Sequence, residues 1–360
     1  MLGCVLLLDI LSIPLIDSAT HALDNHYYAR KQAILVLASL FVLALGTFLD
    51  YRDMVSLSPA LYAITGALLV VVLFFGKEVN GSTRWIPLGF FDLQPSELAK
   101  ISMLLFTAYL LSRWEEAPSS IVEFALYYAW VLVPMALILK QPDLGTALVL
   151  IVVTTGALYF GGAPGKLLTR LIVVGVVTII VVLALHFYAG LPLPLEDYQI
   201  KRITTLLDPN GDPLGTGYQV LQSRIAIGSG SLWGKGLGQG TQNRLDFIPF
   251  QQTDFIFSVV GEELGFVKSA LVLGVYLVLL YRCLLAAVNS TDRRGTVVAG
   301  GVLTLLLFHL LVNMGMTMGI MPVTGVPLPF LSYGGSALLV NSFAVGMVLN
   351  VGWRRHKILF

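Results

Sequence analysis

The chain has 360 residues, of which 56% are hydrophobic and only 12% are charged, and its formal net charge is +1. Soluble domains carry about 25% charged residues, so this composition, with a mean hydropathy of +0.83, excludes an ordinary soluble protein and indicates an integral membrane protein. A net charge so close to zero provides no basic surface for nucleic acid, which we exclude as a partner. The two cysteines, Cys4 and Cys283, fall in or beside apolar runs and predict neither a disulfide framework nor a zinc site.

Apolar runs long enough to cross about 30 Å of hydrocarbon as helices follow one another along the chain. The first run is short and contains Asp9, but it lacks the basic n-region and the cleavage site of a signal peptide. We therefore interpret it as a membrane helix, with the apolar core of a signal peptide as the alternative. The sequence predicts an all-α integral membrane protein, a single polytopic domain over residues 1–360 with about ten transmembrane helices. The runs are 1–16, 33–49, 59–76, 98–111, 121–139, 144–162, 167–190, 255–280, 295–321 and 330–353.

The lysines and arginines of the short connections predict the orientation, because these residues accumulate in cytoplasmic loops. Residues 191–254 form one large extracytoplasmic loop between helices 7 and 8, and loops longer than about 60 residues are left out of such a count. The side that holds both termini carries more of these lysines and arginines, so both termini are predicted to be cytoplasmic. That side has Arg52, Arg113, Lys166, Arg170, Arg282, Arg293, Arg294, Arg354, Arg355 and Lys357, and the other has Arg30, Lys31, Lys77, Arg84 and Lys140.

Two ionisable residues lie where the helix around residues 98–111 begins. Pro95 suits the start of a helix, which places Glu97 and Lys100 at i, i+3 on one face. Ionisable groups inside a membrane are functional by default, so the pair predicts either a ligand site near the outer surface or a buried ion pair that fixes helix packing. Arg84 beside Trp85 is a weaker signal, because both are common anchors at the membrane interface.

Residues 228–240 are unusually rich in glycine and contain Lys235. Exposed backbone N–H groups with a lysine could cradle a phosphate, and a flexible loop is the alternative. A nucleotide-binding P-loop is excluded, because no Ser or Thr follows Lys235.

Asp254 lies where a long polar loop meets an apolar helix. A carboxylate there is also a good helix N-cap, worth about 0.5–2 kcal/mol, which is the structural alternative. Glu262 and Glu263 follow, with Glu262 about 12 Å deeper on nearly the same face, and the three acids predict a wet cavity open to the outside. Residues 322–336 cannot be regular helix, and such backbone at membrane depth must be covered by protein or line a cavity.

Several ordered motifs resemble the SEDS family of shape, elongation, division and sporulation proteins (RodA, FtsW, SpoVE), over nearly the whole chain. The longest is N-x5-G-I-x-P-V-x-G-V-x3-F-L-S-Y-G-G-S-A over residues 313–337, and Gly240-Thr241-Gln242 and Gly335-Ser336-Ala337 are more similar to the RodA branch. One departure is Gln252, where many members have His before the Thr-Asp pair. Further similar motifs are Arg84-Trp85, Gln94-Pro95-Ser96-Glu97 with Lys100, Gln141-Pro142-Asp143-Leu144-Gly145-Thr146, Asp208-Pro209, Gly217-Tyr218-Gln219, Gln222-Ser223, Thr253-Asp254-Phe255-Ile256-Phe257 and Gly261-Glu262-Glu263-Leu264-Gly265.

The resemblance implies a bacterial peptidoglycan glycosyltransferase that polymerises lipid II at the outer face of the cytoplasmic (inner) membrane during cell elongation. Its implied partners are a class B penicillin-binding protein, the elongation machinery and membrane lipid. The family's essential aspartate falls on Asp254, and an inverting single displacement needs one general base for the acceptor hydroxyl. Asp254 is therefore the predicted catalytic residue. The leaving pyrophosphate needs positive charge, for which the candidates are Arg84, Lys100, Arg202, Arg224 and Lys235.

The remaining predicted substrate-binding residues are Glu97, Gln222, Ser223, Ser332 and Tyr333, although Ser332 and Tyr333 could equally be turn residues. A divalent cation (Mg²⁺ or Mn²⁺) could share the work of the arginines and lysines, but nothing in the sequence encodes a metal site. Two other functions stay open, a lipid II flippase and a non-catalytic scaffold for the penicillin-binding protein. Only the enzyme predicts a polymer whose formation depends on Asp254.

Overall fold

Long helices dominate the computed structural model, which describes residues 1–21, 26–79, 82–89, 91–114, 116–190, 197–212, 215–245 and 247–354. A small antiparallel sheet, in the order β1-β2-β3, lies between the third and fourth helices. The helices are α1 (Leu2–Ala19), α2 (Tyr27–Phe48), α3 (Tyr51–Phe75), α4 (Pro95–Arg113), α5 (Ile121–Leu139), α6 (Leu144–Phe160), α7 (Gly165–Ala189), α8 (Asp197–Leu207), α9 (Thr216–Ser229), α10 (Thr241–Arg244), α11 (Ile256–Val288), α12 (Arg293–Thr317) and α13 (Gly335–Trp353), with a 3₁₀ turn at Pro209–Gly211. The strands are β1 (Lys77–Val79), β2 (Ser82–Pro87) and β3 (Asp92–Leu93).

Each predicted apolar run coincides with one of these helices. Within the described residues, 8 helices are long and apolar enough to cross a membrane, and α6 is a shorter apolar helix. The prediction of an all-α membrane protein is confirmed, while the small sheet was not predicted, because its strands are too short for an alternating pattern. The count of ten spans and the side on which the loop between α7 and α11 lies stay predictions.

Polar side chains fix where several helices begin. Asp50 accepts from the first turn of α3, and Asp143 accepts from the Thr146 amide at 3.1 Å at the start of α6. Asp292 does the same for α12, and Ser120 with the third residue of α5 forms a capping box. Each cap satisfies amides that have no partner inside the helix. The positions of these four helix starts are therefore encoded locally, and that of α6 lies at the candidate site.

The helices α12 and α13 form the centre of the molecule and are mostly buried, whereas α7 is almost entirely exposed. Close approach between α13 and α2 depends on Gly46 and Gly346. A Cβ added at Gly346 would lie 2.3 Å from the Leu43 carbonyl oxygen, and one at Gly46 would lie 2.7 Å from that of Phe343. Small residues that allow such contacts are typical of helix packing in membranes.

The helix α11 is broken at Gly265, which has φ 74° and ψ −178°. Residues 231–236 of the glycine-rich loop fill the break. The Lys235 amide donates to the Glu262 carbonyl at 3.1 Å, and the Phe266 amide donates to the Ser231 carbonyl at 2.9 Å. The break thus joins the loop before α11 to the helix itself through backbone hydrogen bonds.

Candidate active site

Asp254 lies in a tight turn just before α11. Its amide and that of Thr253 both donate to the Phe250 carbonyl at 3.1 Å, and Phe250 has a positive φ of 59°. The helix begins at Ile256, and no side chain caps it. The N-cap alternative for Asp254 is therefore wrong, and its partly exposed carboxylate does not serve the helix end.

The irregular stretch between α12 and α13, which we call the proline segment (residues 322–334), packs directly on this turn. The Asn313 side-chain amide, buried in α12, donates both to the Asp254 carbonyl and to the Val326 carbonyl, each at 2.9 Å. The Ser332 hydroxyl donates to the Thr253 carbonyl at 2.6 Å. These bonds hold the backbone of the aspartate in place from two sides.

Side chains of other elements satisfy the carbonyls of the proline segment. The Thr324 carbonyl accepts from Arg202 Nη1 at 3.3 Å, the Pro327 oxygen lies 3.2 Å from a His309 ring nitrogen, and the Pro329 carbonyl accepts from the Tyr276 hydroxyl. Backbone that is neither helix nor strand must find such partners at membrane depth. The expectation that this segment is covered by protein or lines a cavity is confirmed.

Gly325 brings the proline segment against the carboxylate itself. It has φ 72°, and a Cβ added there would lie 3.3 Å from Asp254 Oδ2. Gly325 is also exposed, so the carboxylate faces an open edge of the molecule at this point.

Two arginines and a second carboxylate surround Asp254. Arg84 donates to the carbonyls of Gln141, at 2.7 Å, and of Pro142, and its Nη1 lies 3.8 Å from Asp143 Oδ2. Arg202, on α8, donates to the Thr324 carbonyl of the proline segment, and its charge acts on Asp254. The three charged side chains come from separate parts of the chain and meet only in the fold.

The environment raises the pKa of Asp254 to about 6. Removal from water is the largest cause, because it disfavours the charged form. The Thr253 hydroxyl and the positive charge of Arg202 lower the pKa, the negative charge of Asp143 raises it, and the charge of Arg84 lowers it. At pH 7 about nine-tenths of such a group is ionised, yet it is a stronger base than an ordinary aspartate.

Glu97 and Lys100 lie inside the helix bundle. The two residues are 2% and 1% exposed, and Lys100 Nζ lies 2.7 Å from Glu97 Oε2 and 3.3 Å from His309 Nε2. This geometry agrees with the alternative of a buried ion pair that fixes packing. Their contact with substrate stays a prediction.

The two glutamates of α11 do not line a cavity, so the prediction of a wet cavity around them is wrong. Glu262 accepts from Lys235 Nζ at 2.6 Å and from the Gln242 amide at 3.0 Å, while Glu263 accepts from the Gly238 amide at 3.1 Å. Both carboxylates are buried. Glu262 neutralises Lys235, and the two glutamates hold the glycine-rich loop through its Lys235 side chain and its Gly238 amide.

The remaining predicted substrate residues occupy three settings. Ser223 is buried and bonds to Ser258 and to the Thr317 carbonyl, whereas Arg224 is exposed and Gln222 is partly exposed. Ser332 and Tyr333 lie beside the aspartate turn, where the Tyr333 amide donates to the Gln252 carbonyl at 2.8 Å. The structure therefore brings Arg84, Arg202, Ser332 and Tyr333 close to Asp254, and it places Glu97, Lys100, Ser223 and Lys235 in contacts with other protein groups.

Sequence reasoning did not assign roles to Asp143 or Asn313, although both stand in the quoted motifs. Asp143 caps α6 and accepts from Gln94 Nε2 at 3.4 Å. Asn313 is an amide in the middle of an apolar helix, where an unpaired polar group is unfavourable. A polar amide within an apolar run is the sequence signal that could have predicted a structural partner for Asn313.

The site has few groups for a metal ion. The described residues contain no cluster of three or more His, Cys, Asp or Glu side chains with suitable geometry. Asp143 is already engaged by Thr146, Gln94 and Arg84. A divalent cation here would therefore need substrate phosphates as additional ligands, which is the usual binding mode of Mg²⁺.

This arrangement defines a polytopic helical membrane protein with a candidate acid–base site at the end of a membrane helix. The sequence profile of the family described as cell cycle protein, which comprises FtsW, RodA and SpoVE, matches residues 1–357. The chain belongs to this family.

Relatives and solved structures agree with that assignment. The peptidoglycan glycosyltransferase MrdB of Escherichia coli is 41% identical over 301 residues, which cover 84% of this chain and 79% of the relative. The peptidoglycan glycosyltransferase RodA of Treponema pallidum is 32% identical, with coverage of 94% and 92%.

Among solved structures, a chain of a peptidoglycan synthase complex that coordinates polymerization and crosslinking superimposes with a TM-score of 0.82 at 31% identity, with coverage of 99% of this chain and 97% of that one. The rod shape determining protein RodA of Thermus thermophilus superimposes with a TM-score of 0.71 at 28% identity, with coverage of 99% and 96%. Both likenesses extend over the whole fold described above.

Proposed function

We propose that the chain is a peptidoglycan glycosyltransferase that polymerises lipid II at the outer face of the bacterial inner membrane. The observation that carries this proposal is the carboxylate of Asp254, partly exposed, raised in pKa and flanked by Arg84 and Arg202. Two relatives named peptidoglycan glycosyltransferase support the reaction class. The proposed orientation puts both termini in the cytoplasm and the aspartate turn outside.

The proposed reaction is a single displacement with inversion. The 4-hydroxyl oxygen of the acceptor sugar attacks the anomeric carbon of the donor, and the bond from that carbon to the pyrophosphate oxygen breaks. The electron pair leaves with the pyrophosphate, and the hydroxyl proton passes to Asp254. A base with a pKa near the working pH combines a large ionised fraction with a useful driving force for this transfer.

Negative charge develops on the pyrophosphate as it leaves, and fixed positive charge stabilises it. Arg84 and Arg202 each donate to backbone carbonyls, so their positions are set before substrate binds. Asp143 or Asp254 would hold a divalent cation (Mg²⁺ or Mn²⁺), which would supply further positive charge for the leaving pyrophosphate. This cation stays a proposal.

An apolar groove supports the placement of the lipid tail. A cavity of about 390 Å³ lies between α2, α3, α4 and α13, and Leu61, Leu98, Leu339 and Phe343 are among its lining residues. At one end of the cavity, Leu98 and Leu339 lie one helical turn from the contact in which the Gln94 amide donates to the Ser336 hydroxyl. Since Gln94 also bonds to Asp143, the groove begins beside the charged cluster, where a polyprenyl chain would leave its headgroup.

The proposed partners follow from the same reaction. The solved relative belongs to a complex that combines polymerization with crosslinking, which supports a crosslinking partner for this chain. We assign that role to a class B penicillin-binding protein within the elongation machinery, with membrane lipid around the helices. Lipid II is the proposed substrate, both as donor and as the end of the growing strand.

The test is polymerisation of radiolabelled lipid II by the purified protein, with and without a co-purified class B penicillin-binding protein. The wild type should form glycan polymer, and Asp254→Asn, which has the same shape but cannot take the proton, should lose at least about 100-fold in rate. Asp53→Asn, which changes an exposed carboxylate on α3, is the matched control and should keep the wild-type rate.

Normal polymerisation by Asp254→Asn would contradict the general-base role. Absence of polymer from the wild type in every condition would contradict the enzyme itself. The flippase and the scaffold are the functions that this second result would leave.

A further inference from the structure

A buried histidine connects the interior ion pair to the proline segment. His309 lies on α12 and is 1% exposed. One ring nitrogen, Nε2, is 3.3 Å from Lys100 Nζ, and the other, Nδ1, is 3.2 Å from the Pro327 carbonyl oxygen. Lys100 is paired in turn with Glu97 at 2.7 Å. The side chain therefore bridges a charged group on α4 and a backbone group of the proline segment.

The neighbours of His309 determine its tautomer. A lysine ammonium has donors and no acceptor, and Lys100 Nζ lies 2.7 Å from the Glu97 carboxylate. Nε2 must therefore accept from Lys100, which leaves the ring proton on Nδ1. That proton faces the Pro327 oxygen, so a neutral imidazole donates to the proline segment.

Pro327 is central to the contact between the proline segment and the aspartate turn. The carbonyl of its neighbour Val326 accepts from the Asn313 side-chain amide, which also donates to the Asp254 carbonyl. Its other neighbour, Leu328, donates its amide to the Ser332 hydroxyl at 2.8 Å, and that hydroxyl bonds to the turn. Because Pro327 has no amide proton, its carbonyl is the only backbone hydrogen-bonding group through which it can be held.

We propose that His309 is a positioning residue for the reaction: its Nδ1–H holds the Pro327 carbonyl and thereby fixes the proline segment against Asp254, with Lys100 and Glu97 setting the tautomer. The inference rests on the proposed function. It assigns the buried Glu97–Lys100 pair a role through His309 rather than through contact with substrate. His309 itself touches no reacting atom.

Two conservative substitutions separate the two bonds of the histidine. In His309→Asn the side-chain nitrogen occupies the place of Nδ1 and can donate to Pro327. In His309→Gln the side-chain amide oxygen occupies the place of Nε2 and can accept from Lys100. His309→Leu removes both bonds. The variants would be purified with the same partner as the wild type, checked for thermal stability, and assayed for lipid II polymerisation over a range of substrate concentrations.

We expect His309→Leu and His309→Gln to lose about tenfold in kcat, the effect of one hydrogen bond, with KM unchanged. His309→Asn should recover most of kcat. If His309 only supported the buried Glu97–Lys100 pair, His309→Asn would not have a higher kcat than His309→Gln. The Asn variant breaks the contact with the Lys100 ammonium, whereas the Gln variant keeps it.

The inference is overturned if His309→Leu keeps the wild-type kcat, or if His309→Gln is as active as or more active than His309→Asn. If His309→Leu does not fold, the comparison of the Asn and Gln variants decides alone. Failure of the proposed function is a separate result, because the wild type would then form no polymer.

Discussion

At Asp254 the backbone and the side chain have different tasks. Its carbonyl is fixed by Asn313 and the neighbouring carbonyl by Ser332, so the residue is held through its main chain. The carboxylate is left without a structural role and lies next to the exposed Gly325. A group that is rigidly placed, partly desolvated and accessible has the properties of a general base.

Gly325 provides a prediction at this scale. In Gly325→Ala the new methyl group would lie 3.3 Å from Asp254 Oδ2 on backbone with φ 72°, so we expect a loss of polymerisation rate. Gly190→Ala is the matched control, because Gly190 has φ 67° and open space around it. Each substitution should lower stability by about 1 kcal/mol through its backbone strain.

The measurement combines thermal unfolding with the lipid II polymerisation rate for both variants. Similar losses of stability with a loss of rate only in Gly325→Ala are expected. Equal rates in the two variants would show that the space beside the carboxylate has no role in the reaction.

Among the elements, α11 shows most clearly what the sequence could and could not predict. The start of this helix near Asp254 was predicted, because a polar loop ends there and an apolar run begins. The break at Gly265 was not, since a lone glycine in an apolar run is compatible with a continuous helix. For the glycine-rich loop the sequence left two interpretations open, a phosphate-binding loop and a flexible loop. Its insertion into the break was not predictable, because it depends on contacts between residues far apart in the sequence.

A pair of glycines in α11 tests the importance of the break. A Cβ added at Gly265 would lie 2.1 Å from the Gly234 nitrogen, whereas one at Gly274 would meet nothing within 4 Å. We expect Gly265→Ala to lower the free energy of unfolding by about 3 kcal/mol or more, because backbone must move. Gly274→Ala should be neutral or slightly stabilising, since alanine favours helix.

Thermal unfolding of the purified variants in one detergent gives the comparison. If Gly265→Ala were as stable as Gly274→Ala, the insertion of the glycine-rich loop into the helix would not contribute to stability.

For the whole molecule, composition and apolar run length were enough to predict a helical membrane protein, because a bilayer permits few other solutions for this chain. The candidate site was predictable only in part. Asp254 was identified through the family resemblance and Arg84 and Arg202 as available positive charges, but the sequence did not show that Arg84 binds the start of α6 or that Arg202 binds the proline segment. The acids Glu262 and Glu263 were interpreted as the lining of a cavity, since sequence does not reveal the amides that bury them.

The pH dependence of the reaction tests most directly whether Asp254 is the base. Its active form is the carboxylate, so kcat/KM for lipid II should fall as the pH drops through about 6, the pKa to which burial raises this group. Arg202→Gln removes a positive charge that lowers this pKa, so the acidic limb should move to higher pH. Arg282→Gln, which changes an exposed arginine near the far end of α11, well beyond the break at Gly265, is the control and should leave the limb unchanged.

We expect kcat/KM to fall about tenfold per pH unit below the acidic limb. Arg202→Gln should shift this limb to higher pH, and Arg282→Gln should not. A flat profile between pH 5 and pH 7, or a limb that Arg202→Gln moves to lower pH, would contradict the assignment of Asp254 as the proton acceptor.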